Sequence, residues 1–207
     1  MQSIWRLFVL LLLVAVSSYG IAQEVGKPSK GSVKRSPDAE KPPVETEITI
    51  DNVLNTYVTE LQRTLLLLAM AMPENKYGFA PSDGEFKGVR TFGEQLKHVG
   101  AANFSYASSI LGEKPPADVG EGDNGPTSLK TKAEILKYVT DSFAYVQKAL
   151  AAINAKNVVS PIKSPFGEGD STRLAMTALI IGHCYDHYGQ MVEYVRMNGI
   201  VPPASMH

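Results

Sequence analysis

Four long segments of this chain repeat their apolar residues at the spacing of an α-helix, which limits the fold more than any other feature. The first segment runs from Asp51 to Met72 and stops at Pro73. Its apolar positions recur every three or four residues, as one buried helix face requires. They are Val53, Leu54, Tyr57, Val58, Leu61, Leu65 and Leu68. Nowhere does a period of two predict a convincing strand.

Local start and stop signals predict the limits of the other three helices. Thr91 and Glu94, and again Thr131 and Glu134, have the spacing of a capping box, in which a hydroxyl and a carboxylate satisfy each other's backbone donors. The helix after Thr91 is predicted to run to about Leu111, and the helix after Thr131 to end near Asn154. The fourth begins at about Ser171 and ends at Gly199, with Pro202 and Pro203 beyond.

Four helices of this length predict an all-α fold. Each has about 20 residues and a length of about 30 Å. Two shorter connections and one long, glycine-rich acidic loop at residues 117–127 join them. The sequence therefore predicts a four-helix bundle.

The first 47 residues are expected to lie outside the bundle. Arg6 precedes ten apolar residues, Leu7 to Val16, and Gly20 and Ala22 give the small-x-small pattern of a cleavage site. We therefore expect residues 1–22 to be a signal peptide and the protein to be exported, to the periplasm or the medium. Ten apolar residues are too few to span a bilayer, which needs about 20, so an uncleaved membrane anchor is the weaker alternative.

Residues 23–47 are expected to be a disordered linker, and residues 48–207 one domain. Val25 to Glu47 contains four prolines and nine charged residues, too polar to form a core. Without residues 1–22 the chain keeps 19 basic and 21 acidic residues, a net charge of −2. That balance gives no basic surface for nucleic acid or an anionic membrane.

Three of the four histidines have a spacing suited to one metal ion. His183 and His187 are four residues apart and share a helix face, and His98 lies on another predicted helix. Imidazole suits zinc, nickel, copper and iron(II), and three such ligands leave a position open, as catalytic sites require. Any one histidine is more often a core or surface residue than a ligand, so the hypothesis depends on all three. The fourth, His207, is the last residue of the sequence.

Other polar residues near the histidines have two interpretations each. Gln190 continues the face of His187 and either hydrogen-bonds an imidazole or a bound water, or is a solvated polar residue. A metalloprotease helix needs glutamate where Cys184 stands, and its inverted form needs glutamate where Asp186 stands, so both are disfavoured. We expect Asp186 to be a surface charge or an orienting partner, and Cys184 to be a buried thiol that cannot form an intrachain disulfide.

Three glycines, Gly100, Gly182 and Gly189, fall inside the predicted helices near the histidines. Each costs about 1 kcal/mol relative to alanine in a helix. Close approach of a neighbouring helix and simple tolerance are both open explanations.

Several segments together resemble the DinB/YfiT-like metalloenzyme family. They are Met72–Pro81 (MPENKYGFAP), Val89–His98 (VRTFGEQLKH), Gly182–Gln190 (GHCYDHYGQ), Tyr194–Arg196 and Gly199–Pro203. The resemblance covers almost all of residues 48–207. It implies an up-down-down-up bundle with a divalent metal, nickel, zinc or iron, held by His98, His183 and His187 at one end of the core. Some members of that family are thiol-dependent transferases or isomerases, and dimers occur among them.

Three hypotheses follow. The first is an exported metal-dependent enzyme, of hydrolase or thiol-transferase type, that acts on a small molecule. The second is a non-catalytic, metal-stabilised helical module for binding or structure, and the third is a bundle whose histidines bind no ion. The loop residues Tyr77, Phe79 and Arg90 either line the mouth of the site or pin the loop to the bundle.

Overall fold

The computed structural model describes residues 48–167 and 169–206. The predicted signal peptide, the predicted linker and His207 lie outside these residues. The elements are α1 (Ile50–Ala71), α2 (Phe92–Leu111), α3 (Lys132–Ala151), β1 (Pro161–Lys163), β2 (Asp170–Thr172) and α4 (Arg173–Met197). Three single-turn 3₁₀ helices lie at Glu74–Lys76, Glu121–Asp123 and Pro203–Ser205. No helix within the described ranges has both the length and the apolar character needed to span a membrane.

The helices begin and end where the predicted signals lie. Both capping boxes form, because the Thr91 and Thr131 hydroxyls accept from the backbone of Glu94 and Glu134 and the glutamates accept in return. Gly199 follows Asn198, the C-cap residue of α4. The φ of Gly199 is 73°, a left-handed conformation that favours glycine. The predicted helix limits therefore agree with the observed ones to within about three residues.

Hydrogen bonds between helices show that α2 and α3 run in the same direction. Asn103 donates to Ser142, and further along both helices Ser108 pairs with Tyr145. Residue numbers rise together on the two helices, so they are parallel neighbours. The long crossover from Gly112 to Thr131 makes this direction possible.

The other two helices run the opposite way. Between α2 and α4, Gln95 pairs with Gln190 and Asn103 pairs with Cys184. Residue numbers fall along α4 as they rise along α2, so these two helices are antiparallel. On α1 and α3, Gln147 donates to Gln62 at one end, while Lys132 donates to the Met70 carbonyl at the other. The order is therefore up-down-down-up, and the four-helix bundle is confirmed.

The expectation of no strand is wrong at one place. β1 and β2 form a two-stranded antiparallel hairpin just before α4, with Pro161 opposite Thr172 and Lys163 opposite Asp170. Each strand has three residues, which is too short for a period of two to be visible in the sequence. The predicted start of α4 at Ser171 falls inside β2, and the helix begins at Arg173 after its cap, Thr172.

The glycines inside the helices have two different explanations. A Cβ on Gly100 would lie 2.7 Å from the ring of Tyr138, so α2 and α3 approach closely there. A Cβ on Gly182 or Gly189 would meet no heavy atom within 4 Å. Close packing therefore accounts for Gly100 and simple tolerance for the other two.

Candidate metal centre

The three predicted histidines converge at one place between α2 and α4. We call His98, His183 and His187 the histidine cluster. Nε2 of His183 lies 3.1 Å from Nε2 of His98 and 3.1 Å from Nε2 of His187. One nitrogen from each ring lies within 4.8 Å of the others. The antiparallel packing of α2 against α4 produces this, because it sets His98 beside the face that carries the i, i+4 pair.

Two of the three separations between the nitrogens suit a shared ion. Imidazole nitrogens bind zinc at about 2.0–2.1 Å, so nitrogens 3.1 Å apart are close enough for one ion to contact both. The residues present therefore have the donor type and the separation that a divalent transition metal requires.

Hydrogen bonds at the far side of two rings direct their lone pairs into the cluster. Nδ1 of His98 donates to the backbone carbonyl of Asp123 at 2.7 Å, and Nδ1 of His187 donates to Oε1 of Gln95 at 2.6 Å. In a neutral ring with a protonated Nδ1, Nε2 carries a lone pair. Both Nε2 atoms are thus acceptors that face His183, as metal-binding histidines are commonly oriented.

His183 has a nitrogen that no protein group in the described part of the chain satisfies. Its Nδ1 is buried and lacks a hydrogen-bond partner there. If its Nε2 carries the proton, it can donate well to only one of the two facing lone pairs. If Nδ1 carries it, three lone pairs face one another. A cation among the three Nε2 atoms would accept all three lone pairs, which is the observation that favours an ion here. The ion would keep the proton of His183 on Nδ1, which still has no partner in the described part of the chain.

Burial keeps the cluster neutral near pH 7. Burial, followed by the neighbouring imidazoles, lowers the pKa of His183 to about 4 and that of His187 to about 3. Burial also lowers the pKa of His98, against the opposing effect of its bond to Asp123. Neutral imidazole is the form that binds metal, so no proton has to be displaced at neutral pH.

Gln190 does not contact an imidazole directly, because another glutamine lies between, and its role at the site stays a prediction. Gln95 accepts from His187, and its Nε2 donates to Oε1 of Gln190 at 2.8 Å. Gln190 in turn donates to the carboxylate of Asp186 at 3.0 Å. Asp186 and Gln190 are exposed, whereas Gln95 is 3 % exposed. The sequence analysis missed Gln95, although its position one turn before His98 on α2 was available as a signal.

A backbone carbonyl in the crossover loop orients His98. Asp123 has a positive φ of 55°, and its side chain accepts from the Ser105 hydroxyl at 2.8 Å. Gly125, with a φ of 75°, lies so close to α2 that a Cβ would be 2.7 Å from Cβ of Lys97. The loop is therefore held tightly against α2, and this fixes the carbonyl that His98 contacts.

The loop between α1 and α2 is pinned at three points, two on helices of the bundle and one on the crossover between α2 and α3. The Tyr77 hydroxyl donates to the carbonyl of Ala69 at 2.8 Å, and the Phe79 ring packs edge-on against Tyr194 at 5.7 Å. Arg90 donates to Oδ1 of Asn124 through two nitrogens. Of the two interpretations offered by the sequence, these contacts favour loop pinning over lining the mouth.

Cys184 is a buried thiol and no member of the histidine cluster. Its side chain is fully buried and donates to Oδ1 of Asn103 at 3.3 Å. Burial raises the pKa of this thiol to about 12. The thiolate needed for nucleophilic attack or metal binding is therefore scarce at neutral pH.

One side of the cluster is bordered by aromatic rings and is partly open. The Tyr106 ring lies edge-on to His183 with centroids 5.7 Å apart, and Phe166, in the hairpin turn, packs on Tyr106 at 5.6 Å. His98 and His183 are partly exposed, whereas His187 is buried. Solvent or a small ligand can therefore approach the first two rings.

Comparison with protein families gives one clear match. The model of a family described as the DinB superfamily matches residues 57–191, which is more than half of the chain and includes the histidine cluster. No protein of curated function matches the chain.

Solved structures of low sequence identity share the fold. A DinB-like protein from Bacillus cereus ATCC 10987 has a TM-score of 0.59 at 18% identity, with 75% of this chain and 96% of that one covered. A conserved protein from Enterococcus faecalis has a TM-score of 0.58 at 12% identity, with 73% and 98% covered. A DinB-like protein from Bacillus subtilis has a TM-score of 0.54 at 17% identity, with 72% and 92% covered. At these identities the likeness extends to the bundle alone.

Proposed function

The chain belongs to the DinB superfamily, and we propose that it is an exported metal-dependent enzyme that acts on a small molecule. In this proposal His98, His183 and His187 bind one divalent ion. The borderline nitrogen donors suit nickel, zinc or iron. The reaction is of the hydrolase or thiol-transferase type.

The observation that carries the proposal is the meeting of three imidazole nitrogens with no proton arrangement that satisfies them all. Nε2 of His183 lies 3.1 Å from Nε2 of His98 and from Nε2 of His187, and a single proton on it can satisfy only one of these two contacts. A bundle that needed only a packed core would fill this place with apolar side chains, since unsatisfied polar groups there cost free energy.

The remaining residues of the site have separate tasks. The Asp123 carbonyl and Gln95 hold two imidazoles in the tautomer that binds metal. A divalent ion bound there would supply Lewis acidity, which makes water or a thiol more acidic at neutral pH. The exposed sides of His98 and His183 give substrate access, while the rings of Tyr106 and Phe166 border the approach.

A non-catalytic, metal-stabilised module is the second candidate. His187 is only 7 % exposed, and the cluster joins α2 to α4, so an ion there would crosslink two helices. The two candidates differ in the state of the ion. An enzyme requires an exchangeable position at the metal, which azide or another small anion would fill with a change in the cobalt-substituted absorption spectrum. A structural ion would leave that spectrum unchanged.

Elemental analysis of purified protein tests metal binding directly. We expect about one equivalent of a transition metal in the wild type, in keeping with three ligands for one ion. His183→Ala should lose it, and Tyr185→Ala, a substitution at an exposed site on the same helix, should keep it. Equal metal content in the wild type and His183→Ala would end the proposal.

Export is proposed from the N-terminal sequence and assembly from the family resemblance, and each has a separate test. The support for export is the N-terminal pattern of Arg6 and the apolar run Leu7–Val16. Cell fractionation with N-terminal sequencing should find a mature chain that begins near Gln23 outside the cytoplasm. A homodimer, proposed from the family resemblance, predicts about twice the monomer mass by light scattering.

A further inference from the structure

A cavity of about 460 Å³ lies beside the second half of α2, and none of the three histidines lines it. The β1–β2 hairpin forms one wall, and the turn after α2 and the start of α4 complete it. This volume is within the range of about 300–1,000 Å³ that is usual for small-molecule sites. The proposed function uses no part of it.

The lining combines apolar surface with hydroxyl groups. Pro115, Ile162 and Pro165 contribute apolar surface, and the serines at positions 105 and 109 contribute hydroxyls. Ligand sites are typically apolar with a few polar groups that fix orientation. The cavity therefore suits a molecule with an apolar body and a polar end.

The charges around the cavity favour an anionic end. Lys114, Lys163 and Arg173 line it, against a single acid, Glu113. The Glu113 carboxylate already accepts from Nζ of Lys148 and from the Tyr145 hydroxyl, both at 2.8 Å, so its charge is compensated.

Two of the three cations are only weakly engaged elsewhere. Lys163 lies 3.7 Å from Asp170 with both side chains well exposed, and Lys114 forms no ion pair within the described residues. Exposed pairs of this kind contribute little. Because the whole chain has a net charge of −1, the excess of positive charge at the cavity is local.

We propose that this cavity binds a small organic anion, with its apolar body against Ile162 and the two prolines and its charged group near Lys114, Lys163 and Arg173. The proposal does not depend on metal at the histidine cluster. Hydrogen bonds connect the two sites, since Ser105 lines the cavity and donates to Asp123, whose carbonyl contacts His98.

Calorimetric titration of the full, metal-free chain in the presence of a chelator tests this proposal, because no metal is then available to bind a carboxylate. Octanoate should bind saturably with one site, and its neutral counterpart octanamide and inorganic phosphate should both bind at least several-fold more weakly. Octanoate affinity should also fall with added salt, since the charges are near the surface. Equal affinity for octanoate and octanamide, or no saturable binding of octanoate, would overturn the proposal.

Variants locate the site. Lys114→Gln with Lys163→Gln should weaken octanoate about two- to tenfold, as expected for removal of two exposed charges. Ser109→Trp should abolish binding by filling the cavity, provided that circular dichroism shows a folded bundle. Lys156→Gln, which removes an exposed lysine outside the lining, should leave affinity unchanged. Unaltered octanoate binding in the double lysine variant would contradict this placement.

Discussion

Oε1 of Gln95 lies 2.6 Å from Nδ1 of His187, so an amide on α2 sets the tautomer of an imidazole on α4. Gln95 is 3 % exposed, and its own amide nitrogen donates to Oε1 of Gln190. The amide therefore cannot easily turn to present its nitrogen instead. This fixed orientation leaves Nε2 of His187 as the ring atom that faces the other two histidines.

Replacement of Gln95 should weaken metal binding without removal of any proposed ligand. We expect Gln95→Leu to lower metal affinity by about 10- to 100-fold, the usual effect of losing a partner that orients a ligand. The measurement is competition for zinc against a chromophoric chelator. Gln147→Leu is the matched control. It removes a hydrogen bond between two other glutamines, Gln147 on α3 and Gln62 on α1, and neither helix carries a residue of the histidine cluster. Equal losses in both variants would mean that the Gln95 effect is only structural.

The two kinds of helix glycine should respond in opposite directions to alanine. Gly100→Ala places a Cβ 2.7 Å from the Tyr138 ring, whose hydroxyl is tied to the Asp118 carbonyl at 2.8 Å, so the ring cannot move freely. We expect it to reduce the free energy of unfolding by about 1–3 kcal/mol, the usual cost of overpacking. Gly189→Ala meets no heavy atom within 4 Å and should increase that free energy by up to about 1 kcal/mol. Urea unfolding of both metal-free variants checks the signs, and a stable Gly100→Ala would show that α2 and α3 can separate.

Metal removal should lower the melting temperature, because an ion in the histidine cluster would crosslink α2 and α4. An ion that binds the folded chain and not the unfolded one stabilises it by about 2.7 kcal/mol when its free concentration is 100 times the dissociation constant. We therefore expect a clear drop in Tm on chelation of the loaded wild type, measured by calorimetry, and recovery on readdition of zinc or nickel. His98→Ala should show no dependence of Tm on chelator. A wild-type Tm that changes with neither chelator nor added metal would count against an ion in the cluster.

The parts of this structure that could be predicted from sequence are those with local signals. Thr91, Thr131 and Gly199 predicted helix ends because capping depends on residues within one turn. The shared helix face of His183 and His187 followed from their i, i+4 spacing. His98, on another predicted helix, was the remaining histidine that could complete a site with them. Metal binding itself stays a prediction.

The parts that could not be predicted depend on tertiary contacts or on backbone atoms. The hairpin is too short to show a period in the sequence. The group that orients His98 is the carbonyl of Asp123, an atom that every residue carries, so no residue type indicates it. Gln95 and Gln190 lie 95 positions apart, and only the packing of α2 on α4 shows which of them contacts His187.

The metal-free protein should lose stability as the pH falls from about 6.5, because the folded chain keeps the histidine cluster neutral. Burial lowers the pKa of His183 to about 4 and that of His187 to about 3, and also lowers the pKa of His98, whereas an unfolded histidine titrates near about 6.5. Below that pH the unfolded chain binds more protons than the folded one, so the free energy of unfolding decreases with decreasing pH. Asp186 and Asp123 oppose the shift of His183, Asp123 opposes that of His98, and Arg90 reinforces all three shifts, of which burial is the largest cause.

Urea midpoints of the wild type in chelator, measured from pH 7.5 to pH 4.5, should therefore fall steadily through this window. A variant with His183→Gln and His187→Gln should show a shallower fall, because two of the titrating groups are gone while the carboxylates of the chain remain. Parallel curves for the two proteins would mean that the buried imidazoles are not the source of the acid sensitivity.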